Sequence, residues 1–116
     1  LLKLLVFVVP MADEQNQIVV EVSKDLEELI PEYIESMNNS IVHIEQLVQD
    51  KNFTEIKSEA HKMKGHGGAY GFKYISDIGF LMEGFARDNK IELVKKCLNE
   101  LKTYMTRIKI EFKEDE

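Results

Sequence analysis

Apolar residues recur along most of the chain at the alternating three- and four-residue spacing of amphipathic helices. From Pro31 the stripe is Ile34, Met37, Ile41, Ile44 and Val48, and Asp50-Lys51-Asn52 breaks it. A second stripe, Phe53, Ile56, Ala60, Met63 and Gly67, runs out in a glycine-rich stretch that ends at Gly71. The third is Ile75, Ile78, Met82 and Phe85, closed by Arg87-Asp88-Asn89. The fourth and longest is Ile91, Val94, Leu98, Leu101, Met105, Ile108 and Phe112. Four such helices joined by turns of about 2–4 residues make antiparallel neighbours. The pattern therefore predicts an all-α fold, an up-down antiparallel four-helix bundle. Upstream, residues 18–22 (IVVEV) are β-branched but have no evident strand partner, so they read as an extended arm packed on the helices. Ser23 then offers an N-cap oxygen to a short extra N-terminal helix, SKDLEELI, and Pro31 suits the start of the next one.

The ends look different. The first ten residues, LLKLLVFVVP, are almost wholly apolar but fall short of the roughly 20 residues that span a bilayer. Residues 12–17 are polar, and Met11 looks like a natural start. Residues 1–17 are thus expected to be a leader and linker outside the fold, residues 18–112 the domain, and residues 113–116 an acidic tail.

At 116 residues the chain has the length of one domain. Its 21 Asp+Glu against 15 Lys+Arg leave a net charge of −6, which speaks against nucleic acid or an anionic membrane as the main partner. A single cysteine, Cys97, excludes an intrachain disulfide, and a cytoplasmic location is expected. Cys97 lies beside the fourth stripe and reads as a packing residue.

Composition singles out one segment. Gly65, Gly67, Gly68 and Gly71 account for four of the six glycines. On the second helix, His61 points about 130° from the apolar stripe, into water. Gly65 and Gly68 follow it on the same face, Lys64 flanks them, and Lys57 stands one turn before. Three glycines inside a helix would cost roughly 3 kcal/mol relative to alanine, so some advantage should offset them. Bare helix surface around an imidazole lets a bulky partner approach it, and a lysine one turn away would hold a negative charge there. An exposed neutral imidazole is a competent nucleophile. No carboxylate stands three or four residues away on the same helix to orient it. His66 follows at +5, which is not the i,i+4 spacing of a helical metal pair, and no metal site is expected. His43 falls on a solvated face. Tyr70 and Phe72 read as turn-packing residues. Val42 and Phe80 point away from their stripes, either to dock a partner or to pack under the N-terminal arm.

His61, Lys64, Gly65, Gly67, Gly68, Tyr70 and Gly71 match His-x-x-Lys-Gly followed by small residues, a hydrophobic residue and Gly. This segment resembles the phosphorylation-site helix of histidine-containing phosphotransfer (HPt) domains of two-component phosphorelays. His66 departs from the pattern, standing where a small residue is usual. Met82-Glu83 stands where the family carries a Leu-Glu-like pair, and Leu29-Ile30-Pro31-Glu32-Tyr33 looks like the entry to the first bundle helix of a bacterial subgroup. The resemblance covers about residues 18–112. It implies a phosphorelay carrier, not an enzyme, whose His61 accepts a phosphoryl group through Nε2 from a receiver-domain aspartate or a kinase and passes it to another receiver aspartate. Lys64 would stabilise the phosphoryl charge, and Gly65 and Gly68 would give clearance. Lys57, Val42 and Phe80 are candidate partner contacts. No cofactor of its own is implied, and Mg²⁺ is expected on the partner receiver. The expected partners are response-regulator receivers or a hybrid histidine kinase, met by a monomer. Two rivals remain at this point: a helical adaptor or dimerisation bundle without phosphotransfer, and the phospho-accepting domain of a chemotaxis-type histidine kinase.

Overall fold

The computed structural model describes residues 16–114. In chain order they form strand β1 (Ile18–Ser23), a 3-10 helix (Lys24–Leu29), α1 (Ile30–Gln49) and α2 (Phe53–His66). A short 3-10 turn (Gly68–Tyr70), α3 (Lys73–Arg87), α4 (Ile91–Arg107) and strand β2 (Ile108–Lys113) follow. The expected leader lies outside the described residues from 1 to 15, as do the last two residues of the tail. Among the described residues no helix is long and apolar enough to cross a membrane.

The four helices grow from the four stripes. Met37, Ile44, Ile56, Ala60, Met63, Ile75, Met82, Val94 and Leu101 are almost completely buried in one core. Each of the larger ones contributes about 1.5–3 kcal/mol by leaving water. Each helix packs on the next, and α1 also packs on α4, which closes the bundle around that core. The two polar breaks turn the chain through left-handed residues, Lys51 (φ 52°) and Asn89 (φ 57°). Asn52 caps α2 by accepting the Glu55 N–H at 3.2 Å.

Two expectations need correction. Residues 18–23 do have a strand partner: β1 pairs in parallel with β2, from Ile18 opposite Ile108 to Ser23 opposite Lys113. The fourth helix therefore stops at Arg107, and Ile108 is already extended (φ −69°, ψ 139°). Ile108 and Phe112 lie four apart, so they continue the helical stripe. With Ile110 they also alternate with Lys109, Glu111 and Lys113 at the period of a strand. The strand wins because Val20 and Val22 of β1 bury themselves under the pair. The segment after Ser23 is a 3-10 helix. Ser23 Oγ accepts the Asp25 N–H at 3.2 Å, yet only Leu26 packs against the core, too little apolar surface to support a longer helix.

The α2–α3 contact is the closest in the bundle. A Cβ added to Gly79 would sit 2.6 Å from the Lys64 backbone nitrogen and 2.8 Å from the Ala60 carbonyl oxygen. One added to Gly67 would sit 2.6 Å from the Ser76 nitrogen. Gly79→Ala is accordingly expected to destabilise the fold by about 1–3 kcal/mol, as overpacking does. Gly84→Ala, whose Cβ would meet only the Arg87 guanidinium at 3.5 Å, should gain up to about 1 kcal/mol. Urea denaturation of both variants checks the pair, and equal effects would contradict the close approach.

Candidate functional site

α2 presents His61 on its outer face, with the side chain 65% exposed. The group that orients it comes from the neighbouring helix. Glu83 of α3 places Oε2 2.7 Å from His61 Nδ1 and Oε1 2.8 Å from Lys64 Nζ. Gly79 lies one turn before Glu83 on α3, so the missing side chain that lets the helices touch also brings the carboxylate within reach. The Lys64 hydrogen bond, more than that of His61, holds the Glu83 carboxyl below its ordinary 4.5, against the opposing effect of burial. A carboxylate only accepts hydrogen bonds. The proton between the two groups therefore sits on His61 Nδ1, and in the neutral ring Nε2 carries the free lone pair.

The glycines around His61 serve different ends. A Cβ at Gly65 would meet nothing within 4 Å, and one at Gly68 would make only ordinary contact with Ser76 Oγ at 3.5 Å. Both positions are bare for no reason of internal packing. Gly68 also donates its N–H to Ser76 Oγ at 2.7 Å. Gly67, by contrast, is crowded by α3, and Gly71 is left-handed (φ 95°). Because α2 ends at His66, only Gly65 lies inside the helix. The expected cost of three mid-helix glycines shrinks to about 1 kcal/mol for one.

A family model described as the Hpt domain matches residues 21–111. The chain belongs to this family. Among curated proteins and among solved structures, none matches it. Hpt domains are histidine phosphotransfer carriers of phosphorelays, phosphocarriers rather than catalysts, and they interact with receiver domains and kinases.

Within this Hpt domain the structure gathers His61, Lys64, Glu83 and Phe80. Phe80 is 63% exposed, with Lys64 Nζ 5.9 Å from its ring centroid. Val42 is also exposed, on α1, so neither residue packs under the described part of the N-terminal arm. Lys57 is exposed and makes no ion pair among the described residues. Glu83 is the partner of His61 that a search along the histidine's own helix cannot find. Its signal is Gly79-x-x-x-Glu83 on the next helix, a close-approach residue one turn before an acid. Among the described residues no group of His, Cys, Asp and Glu is arranged to hold a metal ion. His43 stands 4.0 Å from Glu59.

His66 turns away from His61 and toward α1. A 2.9 Å hydrogen bond joins its Nδ1 to Tyr33 Oη, and the two rings meet edge to face. Tyr33 in turn stacks on Tyr70 at 4.3 Å and on Phe72 at 5.5 Å. This cluster anchors the end of α2 and the glycine turn to α1. Burial holds His66 below its ordinary 6.5, only partly offset by Glu59. The unfolded chain then binds more protons than the folded one in the interval just below 6.5, so stability is lost as the pH falls through it. Denaturation midpoints of the Hpt domain should drop on acidification from pH 7, and His66→Gln should lessen that drop. An unchanged slope would contradict the buried histidine.

Proposed function

We propose that His61 is the phospho-acceptor of this Hpt domain. It takes a phosphoryl group from a receiver-domain aspartate, or from a kinase, and passes it to another receiver aspartate. The observation that supports this most is the His61 Nδ1–Glu83 hydrogen bond, which leaves Nε2 unprotonated on an exposed ring beside bare Gly65 and Gly68. The Nε2 lone pair attacks phosphorus. An Nε2–P bond forms as the P–O bond to the aspartyl carboxyl breaks, and the carboxylate leaves on the receiver with that electron pair. The ring gains positive charge in the step, and the Glu83 carboxylate at Nδ1 offsets it. Return to a receiver runs the same path backwards.

Transfer of this kind depends on position and charge more than on acid–base chemistry. Lys64, one turn from His61, supplies positive charge for the phosphoryl oxygens and keeps Glu83 ionised meanwhile. Gly65 and Gly68 give the partner clearance. Lys57, Val42 and Phe80 are partner contacts, with Phe80 the best supported because it adjoins Lys64. The Mg²⁺ belongs to the receiver. The carrier acts as a monomer in the cytoplasm, its helices in up-down order.

Incubation with a phosphorylated receiver and Mg²⁺ should give acid-labile, base-stable label that His61→Gln abolishes; label that survives this change sinks the assignment. Glu83→Ala removes a charge-assisted hydrogen bond worth about 1.5–3 kcal/mol, hence roughly ten- to hundred-fold in transfer rate. Lys64→Ala should slow transfer or shorten the lifetime of the phosphohistidine, and wild-type behaviour in both respects would remove its role.

A further inference from the structure

The two strands carry charges that their own pairing leaves unbalanced. β1 and β2 form a sheet of two, and among the described residues no third strand pairs with either. Ile108, Ile110 and Phe112 stand in register with Ile18, Val20 and Val22. Val20 and Val22 are buried, so these residues share the inner face. Lys109, Glu111 and Lys113 form a row on the outer face, beside Val19, Glu21 and Ser23. The register sets Glu21 directly opposite Glu111, a like-charge pair that works against the sheet. Lys113 Nζ lies 3.6 Å from Glu21 Oε2 and relieves that residue. Glu111 and Lys109 make no ion pair among the described residues.

We infer that the free edge of β2 pairs, antiparallel, with β2 of a second copy of this chain, about a two-fold axis at Ile110. A continuous sheet keeps the apolar residues of both copies on one side, so odd positions must face odd positions. With the axis at Ile110, Lys109 of each copy stands opposite Glu111 of the other, and the cation that Glu111 lacks arrives from the free edge. Neighbouring registers fail on charge. An axis at Glu111 sets Glu111 against Glu111 and Lys109 against Lys113, and an axis at Lys109 sets Lys109 against Lys109. The favoured register also lays Phe112, 38% exposed, opposite Ile108 of the other copy. β1 has no such complement, since its one charged residue is Glu21.

A row of lysines along an edge strand would bar a second copy; this row alternates in sign. Pairing turns a sheet of two strands, marginal by itself, into one of four. A contact of one six-residue strand from each copy falls short of the roughly 1,200 Å² of a standard interface, so the association is weak and reversible. β2 continues from α4, across the bundle from α2. His61 therefore stays open on both copies, and each acts in transfer as the single carrier proposed above.

Sedimentation equilibrium of the full chain, at concentrations up to about 1 mM, tests this. The unaltered chain should form dimers that added salt dissociates. Lys109→Glu sets acid against acid and Glu111→Lys sets cation against cation, and each should weaken association roughly ten-fold or more. An equimolar mixture of the two variants should associate again, because each strand then supplies the charges the other lacks. A variant that had merely lost its fold would gain nothing from the mixture, and urea denaturation of each variant alone checks the fold directly. A monomer at every concentration overturns the inference. So does association that neither variant weakens, which would place the contact on another surface. Loss in both folded variants that mixing fails to restore overturns the register and the inference with it.

Discussion

The structure turns on the place where α2 and α3 touch backbone to backbone at Gly79. Any side chain there would collide with the Lys64 nitrogen and the Ala60 carbonyl. With none, the helices close, and the next turn of α3 brings Glu83 across to His61 and Lys64 at 2.7 and 2.8 Å. Hydrogen bonds of that length weaken steeply with distance. The packing of the core and the chemistry of the surface therefore share one constraint: a helix pair set further apart would keep its apolar core and lose the bridge.

Glu83 then decides the state of two other groups. Lys64 and His61 together keep it ionised, and an ionised carboxylate can only accept. That choice fixes the proton on Nδ1 and the lone pair on Nε2. The result is an exposed imidazole with a defined tautomer, where a histidine alone would exchange tautomers freely.

The glycines divide along the same line between packing and exposure. Gly67 and Gly79 lie where another backbone fills the space, and Gly71 adopts a left-handed turn. Gly65, Gly68 and Gly84 face outward with room to spare. The end of α2 is made rigid by other means, through the Tyr33–His66 hydrogen bond and the stack of Tyr33 on Tyr70 and Phe72. His66 thus has a structural use at the end of α2.

The four helices were legible in the chain because their information is local: apolar residues at helical spacing state which face is buried whatever lies opposite. The exposure of His61 was legible for the same reason, since it and the neighbours Lys64, Gly65 and Gly68 follow from positions along one helix. Ile108–Lys113 was not, because those six residues fit the helical and the strand period equally, and only the distant segment Ile18–Ser23 decides between them. Glu83 was visible as a residue but not as a partner of His61. Its distance from the imidazole is set by how far apart two helices pack, and that depends on the missing Cβ of Gly79. Periodicity along a chain determines faces; only the approach of one backbone to another determines which side chains on those faces can share a proton.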